Sequence, residues 1–122
     1  MKILIVGGAG NVSSIIRPAL EAQHEVCFFD IRPVPGAENR SFVGSVTDPV
    51  LMAKAMAGCD AAIWVAMAPW NDKEDPISPH YKVEVQGFST VLKGAIKVGV
   101  RRIVHSSSLS VYNHLDGRAE NP

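Results

Sequence analysis

Neither sign of charge predominates in this sequence. Twelve Lys and Arg face twelve Asp and Glu across 122 residues, a formal net charge of zero at pH 7. With no basic field to hold a phosphate backbone, nucleic acid is not an expected partner. No polybasic segment or acidic tail addresses a membrane surface or a charged ligand. Cysteine is scarce, limited to Cys27 and Cys59. They lie far apart in the sequence, each in an apolar context and without CxxC spacing. That excludes a disulfide framework and reads as buried, reduced thiols in a cytosolic protein. Long apolar runs are missing too. Ile3-Leu4-Ile5-Val6 meets Gly7-Gly8 at once, too short for a signal-peptide core. Ala61 to Trp70 is far too short to cross a bilayer and contains Pro69. The expected setting is the cytoplasm, with no membrane partner. His24, His80, His105 and His114 are scattered without metal-ligand spacing, so no metal site is expected. No repeat, linker or low-complexity tract divides the chain, so residues 1–122 read as one domain.

What is present is ordinary globular composition, 47% hydrophobic and 20% charged, at a size that buries roughly 65% of the unfolded chain's surface. Strand and helix patterns alternate. Ile3–Val6 is a continuous β-rich run of the kind buried on both faces of a parallel sheet. Gly7-Gly8-Ala9-Gly10 is a turn. Val12, Ile15, Ile16, Ala19 and Leu20 then recur at helical spacing; Pro18, whose ring clashes with the carbonyl of Ser14, predicts a bend or an irregular first turn. Glu25–Phe29 is a second strand closed by Asp30, and residues 31–40 are a loop. Ser41–Val43 is a third strand. Asp48-Pro49 starts a helix as cap and first residue, with Leu51, Met52, Ala55 and Met56 as its stripe and Gly58 as its end. Ala61–Ala66 is a fourth strand and 67–78 a loop. A longer helix from about Pro79 to Val98 buries Val83, Phe88, Val91, Leu92, Ala95 and Ile96, and stops at Gly99. Arg102–His105 is a fifth strand, and residues 113–122 are polar without period. This alternation predicts an α/β, doubly wound parallel sheet of about five strands in the order 3-2-1-4-5.

In such sheets ligands bind beyond the carboxyl ends of the strands, where strand order reverses. Gly7 and Gly10 follow a strand and open a helix, so backbone can approach a pyrophosphate and the helix N-terminus supplies N–H donors. The competing reading is a tight turn that carries no ligand. Asp30, 23 residues after Gly7, can accept hydrogen bonds from both ribose hydroxyls and would repel a 2′-phosphate; alternatively it only starts a turn. Arg32 offsets part of that repulsion, and NAD is expected ahead of NADP. Ser45 and Val46 can wall an adenine, whereas Asp48 is better explained as a cap. Val65, Ala66, Met67 and Ala68 let a flat cofactor pass, or are plain sheet packing. Ser106, Ser107 and Ser108 can orient a substrate oxygen, or are turn chemistry. The 67–78 loop, with Trp70 and several acids, can cover the site or touch substrate.

Taken together, these residues resemble the extended short-chain dehydrogenase/reductase family, the NAD-dependent epimerases and dehydratases. Ile3 to Val12 looks like its opening strand and GxxGxxG turn. Asp30 matches its ribose-binding acid, and Gly58 to Ala66 its fourth-strand signature. Val85-Gln86-Gly87 through Gly99 to Val104 resembles its long helix and fifth strand, and Ser106 to Tyr112 its serine motif. The resemblance covers about Lys2 to Tyr112.

The resemblance implies a Rossmann fold in which Gly7, Gly10, Asn11 and Val12 cradle pyrophosphate. Asp30, Ile31 and Arg32 lie at the ribose, Ser45 and Val46 at the adenine, and Val65, Ala66, Met67 and Ser106 along the coenzyme. Ser108 holds the substrate oxygen as the catalytic residue. It further implies a Tyr-x-x-x-Lys pair that the sequence does not contain: Tyr81 is followed four positions on by Val85, and Tyr112 by Asp116. The pair, the last strands and the substrate-binding part are therefore expected past Pro122, and the 122-residue chain alone is expected to turn nothing over. Ser13 stands in place of the last glycine, Ser45 in place of an acidic adenine contact, and Glu84 in place of an asparagine on the long helix. The implied function is that of an NAD-dependent oxidoreductase or epimerase/dehydratase on a small or nucleotide-sugar-like alcohol or carbonyl. The alternative is a non-catalytic dinucleotide sensor on the same fold, which the absence of a downstream Tyr-x-x-x-Lys would favour. By analogy the long helix is a homodimer face.

Overall fold

A computed structural model describes residues 1–69 and 77–108. Trp70, Tyr112 and the polar stretch 113–122, singled out above, lie outside the described residues. The strands are β1 (Lys2–Val6), β2 (Glu25–Asp30), β3 (Ser41–Val43), β4 (Ala61–Trp64) and β5 (Arg102–His105). The helices are α1 (Asn11–Glu21), α2 (Pro49–Met56), α3 (Ile77–His80) and α4 (Phe88–Val98), with a π-helical segment, Tyr81–Gly87, joining the last two. The sheet order is β3-β2-β1-β4-β5, with every neighbouring pair parallel. In β1, Ile5 lies opposite Phe28 of β2 and Ile63 of β4, so Gly7 emerges between two strand ends at the point where the order reverses.

Each face of β1 is covered. On one side Leu4, Val6, Cys27, Phe29, Ala62 and Trp64 pack with Met52 and Met56 of α2 and Val91 and Ala95 of α4. On the other, Ile5, Val26, Phe28, Val34 and Ala37 meet Ile16 and Leu20 of α1. Burying each large apolar chain stabilises by about 1.5–3 kcal/mol, which is why a run with no polar residue sits at the centre. Asp48 caps α2: its Oδ1 accepts from the N–H groups of Val50 and Leu51 at 2.9 and 3.0 Å.

Four local expectations are corrected. The irregular first turn is not found: Pro18 lies inside α1, which is helical from Asn11 to Glu21; packing of Ile16 and Leu20 outweighs the one backbone bond that proline removes. The buried face of each long helix is narrower than its apolar stripe, for Ile15 is 76% and Ile96 82% exposed, and Val12 and Leu92 are exposed as well. β4 stops at Trp64 rather than Ala66, because β1 ends at Val6 and its chain turns away at Gly7. The long helix begins at Ile77 and widens into the π segment. There Gly87 lies so close to the core that a Cβ would sit 2.5 Å from Val46 Cγ2. The 31–40 loop also holds a short 3-10 turn, Glu38–Arg40.

Candidate functional site

The glycine turn is fastened to the end of β2. The N–H groups of Gly7 and Gly8 both donate to Phe29 O, at 2.8 and 3.1 Å, and Gly10 N donates to Gly7 O at 3.1 Å. Gly7 has φ +93°, and a Cβ there would lie 2.5 Å from Ala66 N. Only glycine meets both conditions. α1 then starts at Asn11 with Gly10 as N-cap, with no side-chain cap and no acid in its first turn. Its first-turn N–H groups therefore keep their capacity and positive potential for an anion. Asn11 and Val12 are exposed there. Ser13, in the place of a third glycine, is wholly buried, and its Oγ has no hydrogen-bond partner.

Asp30 reaches this turn directly. Its Oδ2 accepts from Ala9 N at 2.9 Å and its Oδ1 from Arg32 N at 3.2 Å. The Arg32 guanidinium donates to Ala9 O at 3.3 Å. Asp30, Arg32 and the turn are thus one hydrogen-bonded unit, with Ile31 exposed between the two side chains. Neither carboxylate oxygen is exhausted, since each accepts only one of these bonds.

The other expected residues stand farther along the crevice. Ser45 is exposed after β3 and its Oγ is 2.8 Å from Thr47 Oγ1. Val46 is buried in the core with Trp64, beneath Gly87. Val65 and Ala66 are half-buried and continue β4 past its ladder, with Ala66 against Gly7. Met67 is exposed. Ser106 N donates to Trp64 O at 3.0 Å, which sets the serine run at the carboxyl end of β5; Ser106, Ser107 and Ser108 are exposed. The crevice thus gathers the turn, Asp30, Arg32 and Ala66 by direct contact. Ser45 lies on the β3 side and Ser108 on the β5 side.

One pair escaped sequence reasoning. His80 Nδ1 and Glu84 Oε1 are 2.8 Å apart, and the same oxygen accepts from Ala68 N at 3.4 Å. This ties the π segment to the chain leaving β4. The i,i+4 spacing of His80 and Glu84 was a legible signal for the pair; the reach to Ala68 was not. Among the described residues no group of three or more His, Cys, Asp or Glu is placed to hold a metal, and no helix is long and apolar enough to cross a membrane.

A five-stranded parallel sheet in this order, with a glycine turn and a carboxylate at its switch point, defines the class of dinucleotide-binding Rossmann domains. Comparison with known proteins narrows the class. The NAD(P)H-binding family matches residues 7–122, and the chain belongs to that family, within the short-chain dehydrogenases/reductases that include the NAD-dependent epimerases. It is 30% identical over 111 residues to the N-acetyl-alpha-D-glucosaminyl-diphospho-ditrans,octacis-undecaprenol 4-epimerase of Escherichia coli, covering 91% of this chain and 33% of that protein. It is 31% identical over 119 residues to a 3-beta-hydroxysteroid dehydrogenase of Mycolicibacterium neoaurum, covering 90% and 32%. A short-chain dehydrogenase/reductase superfamily protein from Agrobacterium tumefaciens, solved with bound NAD, superposes with a TM-score of 0.81 at 33% identity, covering 92% and 34%. The chain spans about a third of the length of the curated relatives it matches.

Proposed function

We propose that this chain supplies the dinucleotide-binding part of an NAD-dependent oxidoreductase or epimerase/dehydratase. Its substrate would be a small or nucleotide-sugar-like molecule with a reactive alcohol or carbonyl. The observation that carries this reading is the Asp30 carboxylate hydrogen-bonded to Ala9 of the glycine turn. It sets a carboxylate with spare acceptor capacity beside the glycine turn at the switch point, as a ribose acceptor next to a phosphate cradle requires. The relatives support it: they are an epimerase and a steroid dehydrogenase, and the Agrobacterium protein carries NAD. The uncapped start of α1 fits a bound anion.

In this reading the backbone of Gly7 and Gly10 and the first-turn N–H groups of Asn11 and Val12 hold the pyrophosphate. Asp30 accepts from the ribose hydroxyls with the capacity left over from Ala9 and Arg32. Ile31 and Arg32 flank the adenosine, and Ser45, with Val46 beneath it, bounds the adenine. Val65, Ala66, Met67 and Ser106 line the path toward β5, where Ser108 donates a hydrogen bond to the substrate oxygen. Nicotinamide, when bound, supplies hydride exchange with the substrate carbon that bears this oxygen. The 122 residues form one binding unit in a cytoplasmic protein, and a homodimer would cover the exposed Leu92 and Ile96 of α4.

NAD is preferred over NADP because a 2′-phosphate would meet the Asp30 charge, and Arg32 is already engaged with Ala9 O. Calorimetric titration tests this. NAD is expected to bind more tightly than NADP, and Asp30→Ala to weaken NAD by about 1–3 kcal/mol, roughly five- to 150-fold. Equal affinities for the two dinucleotides would overturn the role of Asp30.

A further inference from the structure

The two thiols that stand far apart in the sequence meet in the fold. Cys27 is the third residue of β2, opposite Leu4. Cys59 lies between Gly58 and the first residue of β4. Their Sγ atoms are 3.8 Å apart, and both residues are buried, at 6% and 9% exposure. Each sulfur also faces one carbonyl, Ile3 O for Cys27 at 3.6 Å and Ala55 O for Cys59 at 3.5 Å. No metal-binding cluster includes them among the described residues.

We propose that Cys27 and Cys59 form a peroxide-sensitive dithiol site, oxidised reversibly to an internal disulfide. The two sulfurs need to approach by about 1.8 Å to reach bonding distance. Cys27 is held by the β-ladder, so the movement falls to Cys59, whose segment turns through Gly58 at φ +74° and is flanked by exposed Gly58 and Asp60. The thiol–thiol contact, in which either sulfur can donate, lowers the Cys59 thiol from its ordinary range, while the same contact and burial push Cys27 above it. Cys59, on the movable segment flanked by exposed residues, is the sulfur that meets the oxidant first.

The chemistry balances with hydrogen peroxide as oxidant. Cys59 sulfur attacks one peroxide oxygen, the O–O bond breaks, and water leaves with the thiol proton to give a sulfenic acid on Cys59. The Cys27 sulfur then attacks Cys59 Sγ, the S–O bond breaks, and a second water leaves with the Cys27 proton. Two electrons pass from the sulfurs to the peroxide. The bridge would close a loop that contains the end of β2, β3 and α2, and so constrain the unfolded chain. It lies at the amino end of β4, away from the strand ends that carry the glycine turn. NAD affinity is therefore expected to change less than about twofold, and the inference stands independently of the coenzyme reading.

The test treats the folded 122-residue chain with hydrogen peroxide and follows intact mass, thiol titration after denaturation, and peptide mapping. The expected result is a monomer lighter by about 2 Da, with no free thiol, peptides joined through Cys27 and Cys59, and full reversal by dithiothreitol. The oxidised form should melt several degrees higher than the reduced form. Cys27→Ser should stop at an oxygenated Cys59, and Cys59→Ser should slow loss of the remaining thiol at least about tenfold. If a variant does not fold, the mass and melting of the wild-type chain decide. Two titratable thiols surviving in folded protein, or cross-linking only between chains, would overturn the proposal.

Discussion

Gly7 concentrates three demands on a single residue. It holds a left-handed backbone, presses on Ala66 N, and sends its N–H to Phe29 O. An added methyl group meets both the φ +93° conformation and the backbone of Val65 and Ala66 just past β4, neither of which can yield cheaply. Gly7→Ala is expected to lower stability by about 2 kcal/mol or more, read from urea unfolding, and to weaken NAD binding at the same time. Gly7 and Asp30 were legible because the spacing between a turn glycine and a strand-end acid is a local signature. Ser13 was legible only as a departure from it. That its side chain is buried with an unpartnered hydroxyl depends on how closely α1 approaches the sheet.

Among the elements, the 31–40 loop shows how a segment without periodicity is held. Glu21 at the end of α1 accepts from Arg17 Nε at 3.0 Å and from Arg40 Nη2 at 2.8 Å. Arg17 also donates to Pro35 O and Arg40 to Val26 O, and both guanidinium groups lie over the Phe28 ring. The Arg40 hydrogen bond, helped by Arg17 and opposed by desolvation, holds the Glu21 carboxyl below its usual range. Because the folded state lowers this pKa, the stability it contributes is present above the unfolded carboxylate value. That stability is lost as pH falls through the folded one. Glu21→Gln is therefore expected to cost roughly 0.5–1 kcal/mol at pH 7, discounted for partial exposure, and progressively less in acid. Urea unfolding at neutral and acidic pH reads that convergence. The sequence showed a proline- and glycine-containing loop here. It did not show the anchor, because Glu21 and Arg40 become neighbours only when β3 lies alongside β2.

For the whole molecule, the coenzyme reading has a thermodynamic consequence. A ligand that binds only the folded state stabilises it by about 2.7 kcal/mol at roughly a hundred times Kd. NAD is therefore expected to raise the melting temperature by several degrees, NADP by less, and Asp30→Ala to shrink the NAD effect. A melting curve that NAD leaves unmoved would count against the site as a whole.

The order of strands and helices, and with it the switch point, followed from local periodicity. An all-apolar β run such as Ile3–Val6 is stable only with a strand on each side and a helix layer on each face, and right-handed crossovers leave few ways to arrange five such units. Gly7, Asp30 and the strand ends lie at that switch point. The amphipathic pattern could not say how far each face is covered, so the exposure of Ile15 and Ile96 was decided by which helix meets which strand. The meeting of Cys27 with Cys59, the reach of Glu84 to Ala68 and the π widening beneath Gly87 belong to tertiary structure as well. Each is a contact between segments remote in the chain, set by the separation of packed layers and by which side chains fill it, and no spacing along the sequence encodes that distance.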